Sequence, residues 1–521
     1  MIPKSAQGEA VRWESVAARL SKWPSPGHVN LWLAALVALS IFRFWVTPLG
    51  SSFWVDEMGT AFVVQHGADD PTLKVAPQVP ASIYYALPAA VQKLFGFSEI
   101  GYRFPSVVAL CVALLFIARI AERLIAPGAG WFAAFACLLI RDFNFEAADA
   151  RPYALATCIT AAAIYWLIRW LDRARWSDAG VFVVLAALVW RAHLVLWPLY
   201  ILFAIYTLGR LSRRDTAVRW WQGIAVFGVA GVLLIPVVWE ALRIYRGAGA
   251  HVVVDMPGSA DLIRSLKLDL ILPVCAAAAL VARGLRWPRV EGVAAPGAWT
   301  LMIGWWLTQP LSLYAFSRIT GNSVFVPRYL SIALPGAALM ATGAAAAFVP
   351  ASQWKRMAVF AGILLLVFMG RWNRVLLIHS GSDWRAAAQQ LERATGGAPI
   401  RVICPSPFIE AKWPVWRPDY PIQSFLYSHL LLYRTPGKLY PFPFTPSPEA
   451  AEFAAELTRN ELSSGGRFFL YGADKKVEYW RAWFSARPEF ESWSVRKVGS
   501  YGDVEIDEFA RERDGAFPRR R

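Results

Sequence analysis

The sequence predicts a polytopic α-helical membrane protein with about 11 transmembrane helices and a small C-terminal α/β domain outside the membrane. Three observations predict this fold class. Of the 521 residues, 56% are hydrophobic and only 17% are charged, whereas soluble domains carry about 25% charged residues. Apolar runs long enough to span a bilayer, which takes roughly 20 residues, recur between residues 30 and 372. After residue 375 the runs stop, and segments bounded by Pro and Gly follow.

Eleven apolar runs are candidate spans. The third and the fifth are short for a full crossing. A further apolar stretch, SIYYALPAAVQKLF at 82–95, predicts a helix that lies at the membrane interface. The eleven runs are 30–48, 105–126, 129–142, 152–170, 178–191, 193–209, 219–240, 264–283, 297–316, 326–349 and 356–372.

The loops between the spans predict the orientation, because short loops rich in Lys and Arg stay in the cytoplasm. With the N-terminus inside, the inner loops include RLSRRDTAVR (210–219) and RGLRWPR (283–289). The odd number of spans then places the C-terminal domain on the extracytoplasmic face. We expect a cytoplasmic segment at 1–29, a transmembrane domain at 30–374 with a first outer loop at 49–104, an outer α/β domain at 375–508 and a basic disordered tail at 509–521.

Within the outer domain, RVICPSPFI (401–409) and RFFLYGAD (467–474) are typical of strands. DWRAAAQQLERATGG (383–397) predicts a helix with Asp383 near its start and Gly396 at its end. The apolar stretch near the N-terminus follows several basic residues and lacks a short cleavable core, so we interpret it as a retained first span.

Charge and cysteine content exclude two classes of function. A net charge of +16 would suggest a nucleic-acid partner in a soluble protein. Here the basic loops that set membrane topology account for that charge, so we expect no nucleic acid. The five cysteines form no CxxC or Cys/His cluster in the sequence, so a thiolate metal site is not expected.

An acidic pair in the first outer loop is the first candidate for chemistry. Asp56 and Glu57 stand side by side in SSFWVDEMGT (51–60). In one interpretation Asp56 is a helix N-cap for a helix that begins at Met58. In the other, the pair works at the membrane surface, where a partly desolvated carboxylate takes a proton from an attacking hydroxyl.

Three later motifs each place an arginine next to a proline or tyrosine at an outer helix mouth. They are GYRFPSVVAL (101–110) with Arg103, DARPYAL (149–155) with Asp149 and Arg151, and VPRYLSIALPG (326–336) with Arg328 and Tyr329. Phosphate binding is one interpretation, because a guanidinium group matches phosphate oxygens. The alternatives are a snorkelling arginine for Arg103, a local ion pair for Arg151 and an aromatic-belt anchor for Tyr329.

The order WVDE, YRFPS, DARPYAL and PRYLSIALPG resembles the GT-C membrane glycosyltransferases, above all the branch of protein O-mannosyltransferases and the lipid A aminoarabinose transferase. The resemblance covers residues 30–372 and is strongest over 50–160. One departure concerns a His-Pro-Pro-x-Tyr-Tyr stretch typical of bacterial relatives. Here APQVPASIYY (76–85) keeps Tyr84 and Tyr85 but has Gln78 near the position of the histidine, so the acceptor is expected to differ.

The resemblance implies a polyprenyl-phosphate-linked sugar as donor and transfer to an envelope hydroxyl with inversion. The acceptor stays open among lipid A, a lipopolysaccharide core sugar, a wall polysaccharide and a protein. Asp56 would deprotonate the acceptor, Glu57 would shape its site, and Arg103, Arg151 and Arg328 would hold the lipid phosphate. The cavity would be lined by Tyr84, Tyr85, Tyr153, Tyr329 and Asp149.

A bacterial inner membrane is the expected location, with the active site and C-terminal domain on the periplasmic face. A divalent cation at Asp56 and Glu57 stays open, since no full ligand set is visible, and His66, His193, His251 and His379 lack metal-binding spacing. Two alternative functions are a flippase for lipid-linked sugars and a non-catalytic envelope-assembly subunit. A flippase should carry charges deep in its spans, and here Arg43 is the exception in a pattern of charges near the outer mouths.

Overall fold

The structure of the protein is a computed structural model that describes residues 28–511 apart from 248–253, 289, 291–293, 397, 399 and 411–415. His251, nearly all of the N-terminal segment and most of the basic tail therefore lie outside the described residues. The chain divides into two compact units. The first comprises Met1–Pro48 and Phe104–Leu377, and the second comprises Leu49–Arg103 and Ile378–Arg521.

The first unit is helical, and its helices expose large apolar side chains such as Trp239 and Phe368, which are 75% and 78% exposed. Water would oppose such exposure, whereas a bilayer solvates it. The α-helices are Val29–Ile41, Glu99–Leu124 from Phe104 onward, Ala129–Leu138, Arg141–Ala147, Tyr153–Arg173, Trp176–Ala192, Pro198–Ser212, Trp220–Gly247, Ser259–Ser265, Leu268–Gly284, Pro296–Thr320, Leu334–Ala346 and Trp354–Met369.

Every one of the eleven predicted spans contains a helix of the structure, which confirms the polytopic helical class. Seven of the described helices are long and apolar enough to cross a membrane. The number is eight if Ser259–Ser265 and Leu268–Gly284, bent by 46° at their break, count as one span. The short third run forms only the ten-residue helix Ala129–Leu138, which is too short for a full crossing.

Arg43, the charge that stood out in the first span, has a structural function. Its side chain is 3% exposed and donates to the carbonyl oxygens of Gly370, Arg371, Arg374 and Val375 at 2.7, 2.9, 2.7 and 2.8 Å. These carbonyls belong to the segment that follows helix Trp354–Met369, whose backbone acceptors need partners of their own. Arg43 satisfies them where water is scarce.

The second unit contains a five-stranded sheet with strand order β2-β1-β3-β5-β4. Strand β1 pairs in parallel with β2 and β3, while β5 pairs antiparallel with β3 and β4. The predicted strands at 401–409 and 467–474 are confirmed as β1 and β3. The strands are β1 (Arg401–Pro405), β2 (Lys438–Phe442), β3 (Arg467–Ala473), β4 (Trp493–Tyr501) and β5 (Val504–Arg511).

The predicted helix after residue 383 is also confirmed, as Trp384–Thr395. The side chain of Asp383 accepts a hydrogen bond from Ala386 N at 3.0 Å, which caps the first turn. Gly396 ends the helix at φ +60°, a conformation that glycine adopts without steric cost. The other α-helices of the second unit are Val55–His66, Ala86–Phe95, Ser428–Leu432, Pro448–Leu457 and Asp474–Ser485.

Aromatic side chains form much of the core of this unit. Phe468 on β3 stacks on Phe509 on β5 with ring centroids 4.7 Å apart, and Trp480 from helix Asp474–Ser485 packs edge-on against Phe442 at 4.6 Å. Strand β5 continues to Arg511, so the sheet extends past residue 508, where the sequence predicted the domain to end.

Candidate active site

Asp56 is the second residue of helix Val55–His66, in the second unit, and it is half-buried. The interpretation that Asp56 caps a helix beginning at Met58 is wrong, because the helix begins three residues earlier. Glu57 takes the capping role instead: its Oε2 accepts a hydrogen bond from Trp54 N at 3.3 Å, as a residue at the third helical position does in a capping box. Glu57 thereby fixes the turn that carries Asp56.

Glu57 also forms an ion pair with Arg103 in which both side chains are fully buried. Arg103 Nε donates to Oε1 at 2.7 Å, and a terminal nitrogen of Arg103 donates to Oε2 at 2.5 Å. Such a bidentate pair is directional and short because both partners are charged. The acidic pair is therefore divided structurally, with Glu57 turned into the protein.

The remaining donors of Arg103 hold the loop that precedes Asp56. They bond to the carbonyl oxygens of Leu49 at 2.8 Å, Ser51 at 2.6 Å and Ser52 at 3.0 Å. With the two bonds to Glu57, all five N–H groups of this guanidinium are used. The geometry therefore does not favour the predicted role of Arg103 in phosphate binding, because a phosphate would have to displace buried protein acceptors.

The helix that carries Arg103 also begins earlier than Pro105 suggested. It runs from Glu99 to Leu124, with Pro105 inside it. Arg103 thus lies in the second turn rather than before the first, and its side chain is 0% exposed.

A second arginine, which sequence reasoning missed, holds the same loop. Arg385 donates to the carbonyl oxygen of Gly50 at 2.8 Å and to Glu99 Oε1 at 2.8 Å. The hydroxyl of Tyr433 accepts from Phe53 N at 2.7 Å and donates to the same Glu99 oxygen at 3.3 Å. Arg385 and Tyr433 lie far along the chain from residues 49–53, so no local pattern in the sequence signals the contact.

His379 and the two tyrosines of the IYY segment also belong to the second unit. His379 N donates to Ser51 Oγ at 3.1 Å. Burial lowers the pKa of His379 to about 3, with Arg103 adding to the shift and Glu57 opposing it, so its imidazole is neutral at pH 7. Tyr84 and Tyr85 are both buried, and Tyr84 OH donates to the carbonyl oxygen of Tyr102 at 3.3 Å.

The first unit contains the other group of predicted residues. Tyr153 and His193 stack with ring centroids 5.3 Å apart, and Tyr329 lies 5.1 Å from His193 and 6.2 Å from Tyr153. The guanidinium of Arg151 lies 5.9 Å from the Tyr153 ring centre, and that of Arg328 lies 5.6 Å from the Tyr329 ring centre. The structure therefore brings the second and third arginine motifs together around His193, which we name the arginine–tyrosine cluster.

Two acidic side chains belong to the arginine–tyrosine cluster. Glu146 and Asp149 are 4% and 1% exposed. Burial, followed by the charge of Asp149, raises the pKa of Glu146 well above its usual range, while Arg328 and Arg151 oppose that shift. The cluster thus combines two guanidinium groups with two buried carboxyl groups.

Two side chains of the second unit are potential ligands for a divalent cation. His379 offers a neutral imidazole and Glu57 a carboxylate, which are common metal-ligand types. Both oxygens of Glu57, however, already accept from Arg103. A cation bound at Glu57 would compete with that guanidinium.

Comparisons with known proteins show which folds this chain resembles. Residues 80–245 match the family model described as dolichyl-phosphate-mannose-protein mannosyltransferase. The fold is similar to apo ArnT from Cupriavidus metallidurans, with a TM-score of 0.52, 10% identity and coverage of 92% of this chain and 98% of that chain. ArnT from the same organism bound to undecaprenyl phosphate gives a TM-score of 0.52 at 13% identity, with coverage of 92% of this chain and 98% of that chain. No curated protein matches the chain in sequence.

The helical membrane unit, the small sheet and the similarity along most of both chains define a multi-pass membrane protein with the GT-C fold. Within that class the chain resembles the branch that contains ArnT and the protein mannosyltransferases, as the sequence motifs implied.

Proposed function

We propose that the protein is a membrane glycosyltransferase that moves a sugar from a polyprenyl-phosphate donor to a hydroxyl of an envelope acceptor. The arginine–tyrosine cluster carries this proposal. Arg151 and Arg328 come from different helix starts in the membrane unit and lie beside Tyr153 and Tyr329, whose rings both contact His193. Ionisable groups in a membrane domain mark functional sites by default, and paired guanidinium forks match phosphate oxygens.

Asp56 is the general base in this proposal. It accepts the proton of the acceptor hydroxyl while that oxygen attacks the anomeric carbon of the donor sugar. The bond between this carbon and the phosphate oxygen breaks, and its electron pair leaves with the lipid phosphate. Because this is a single displacement, the anomeric configuration inverts. Arg151 and Arg328 stabilise the negative charge on the leaving phosphate.

Glu57 and Arg103 are positioning residues. The Glu57 carboxylate caps helix Val55–His66 and pairs with Arg103, so both act on the orientation of Asp56. Asp149, Tyr153 and Tyr329 line the donor side beside the two arginines, and Tyr84 and Tyr85 line the acceptor side. The acceptor is a lipid A, polysaccharide or protein hydroxyl.

The reaction takes place on the extracytoplasmic face of a bacterial inner membrane. The basic loops RLSRRDTAVR and RGLRWPR support this orientation, because such loops stay in the cytoplasm.

A comparison of envelope composition tests the proposal. Cells that lack the protein receive either the wild-type chain or the Asp56→Asn chain, and their glycans and lipids are compared by mass spectrometry. We expect an envelope component that gains the mass of one sugar with the wild type only. Identical envelopes with and without the wild type would contradict a glycosyltransferase function, and sugar addition by a folded Asp56→Asn protein would contradict Asp56 as the base.

A further inference from the structure

We infer that the second unit binds a saccharide in a groove along the edge strand β2. The groove has a volume of about 610 Å³ and is lined by residues 418–423, by Lys438, Leu439, Tyr440 and Pro441 of β2, and by Phe453 and Glu461. This volume lies within the range of about 300–1,000 Å³ found for small-ligand sites. None of the residues assigned to the proposed reaction lines it.

Glu461 gives the groove a fixed charged acceptor. Its Oε2 accepts from Lys438 Nζ at 2.6 Å and from the hydroxyl of Tyr440. Both bonds lower the pKa of Glu461, so the carboxylate is ionised at neutral pH. Among the described residues nothing donates to Oε1. This oxygen is therefore available to a ligand hydroxyl, while the ammonium of Lys438, 59% exposed, can donate to one.

The backbone of β2 favours a hydroxyl-rich ligand over an added peptide strand. Lys438 N donates to Ile400 O, and Phe442 O accepts from Ser406 N. Because bonding to one neighbour alternates along a parallel strand, residues 438, 440 and 442 face β1, and Leu439 and Pro441 face outward. Proline has no N–H, so Pro441 removes one backbone donor from this edge of the sheet.

An added peptide strand needs donors and acceptors at every second residue. Pro441 interrupts that pattern in the middle of the edge, as prolines on edge strands do. Sugar hydroxyls face no such requirement, because each can donate to a carbonyl or carboxylate and accept from an ammonium.

Apolar surface in the same groove completes the match. Phe453 is half-buried and packs against Trp416 with ring centroids 5.9 Å apart. Together with the exposed Pro421 it offers apolar area for the C–H faces of a sugar ring, while Glu461 and Lys438 fix orientation. A specific site for a small ligand usually has mostly apolar walls and a small number of polar groups.

We assign the ligand to the glycan portion of the acceptor, an assignment that rests on the proposed function. The groove would then hold the acceptor glycan while another of its hydroxyls reacts. Binding itself needs neither a donor nor an active base, so it can be measured separately from transfer.

The test uses the full-length protein in detergent and two fluorescent probes. One is the oligosaccharide fraction released by mild acid from the envelope of the producing cells, and the other is a pool of Ser- and Thr-containing peptides. Fluorescence polarisation gives the Kd. We expect saturable oligosaccharide binding that Glu461→Gln weakens about tenfold, as loss of a hydrogen bond to a charged group does. Tyr440→Phe should weaken it less, because Lys438 still holds Glu461.

Glu456→Gln is the matched control, since Glu456 is an exposed residue of helix Pro448–Leu457 that does not line the groove. It should bind like the wild type. Asp56→Asn should bind oligosaccharide normally even if it transfers nothing, which separates this inference from the proposed reaction. Binding of the peptides alone, binding of neither probe, or an unchanged Kd in a folded Glu461→Gln protein would overturn the saccharide groove.

Discussion

Glu57 and Arg103 form a bidentate ion pair in which both side chains are 0% exposed. The pair joins the first turn of helix Val55–His66 to the second turn of helix Glu99–Leu124, and Arg103 also bonds to three carbonyls of the loop between residues 49 and 52. Asp56 stands beside Glu57 on that first turn. Arg103, which the sequence predicted to bind the donor phosphate, therefore holds the turn that carries Asp56, the candidate base.

Replacing Arg103 should destabilise the protein rather than weaken donor binding alone. Arg103→Met leaves the Glu57 carboxylate buried without its cation, which costs about 3–5 kcal/mol. Arg103→Lys should fall between this variant and the wild type, because an ammonium keeps the charge but cannot form the fork. Thermal unfolding in detergent measures the effect.

Arg318→Met serves as the control for this prediction, because Arg318 is exposed on helix Pro296–Thr320. It should unfold at the wild-type temperature. The opposite result would be an Arg103→Met protein that is as stable as the wild type and loses only affinity for lipid phosphate. That result would contradict a positioning role for Arg103 and support its predicted role in phosphate binding.

Asp56→Asn should abolish transfer while leaving the fold intact. Loss of a general base slows a reaction by about 10²–10⁴-fold, and Asp56 is not the residue that caps the helix. Glu57→Gln should instead lower the unfolding temperature, since it removes the charge that pairs with buried Arg103. The transfer rate and the unfolding temperature are measured on the same preparation of each variant. Together they distinguish Asp56 as the base from Glu57 as the structural partner of Arg103. Equal loss of stability in both would argue against this division.

Arg151→Ala and Arg328→Ala should each weaken binding of undecaprenyl phosphate about tenfold, since a hydrogen bond to a charged group contributes roughly 1.5–3 kcal/mol. Arg→Lys at either position should restore part of the affinity. Titration of the purified protein with undecaprenyl phosphate measures the change, and Arg318→Ala is the matched exposed control. Wild-type affinity in both alanine variants would indicate that the lipid phosphate binds elsewhere.

The second unit should lose stability below about pH 6.5, the usual pKa of histidine. Burial lowers the pKa of His379 and of His429 to about 3, so the unfolded chain binds more protons than the folded one between these values. The stability that depends on the two neutral histidines is therefore fully present above pH 6.5 and falls as the pH drops toward 3. At pH 5 each histidine should lower the free energy of unfolding by about 2 kcal/mol, because its contribution falls by about 1.4 kcal/mol for each pH unit below 6.5.

His429→Leu isolates one of these contributions. Neither ring nitrogen of His429 has a hydrogen-bond partner in the described structure, and the ring packs against Trp384 with centroids 4.8 Å apart. The variant should therefore lose less stability between pH 7.5 and pH 5 than the wild type in thermal unfolding. His66→Gln, at an exposed histidine, should keep the wild-type difference. An unchanged pH dependence in His429→Leu would contradict the prediction.

The features that the sequence determined by itself depend on local patterns. Apolar runs predict membrane helices because their length must match the bilayer. Strands β1 and β3 follow from segments bounded by Pro and Gly. Helix Trp384–Thr395 follows from the cap at Asp383 and the terminal Gly396. The order of the acidic and arginine motifs was enough to indicate the GT-C class.

Only the tertiary structure decided which charges meet. Glu57 and Arg103 are 46 positions apart and Glu99 and Arg385 are 286 apart, and a local pattern in the sequence cannot indicate which of several arginines a buried carboxylate will meet. The same holds for Arg151 and Arg328, which only folding brings to His193. Burial is likewise a property of the fold, and it is burial that makes Glu57 a partner for Arg103 while Asp56, its neighbour on the same helical turn, stays half-buried.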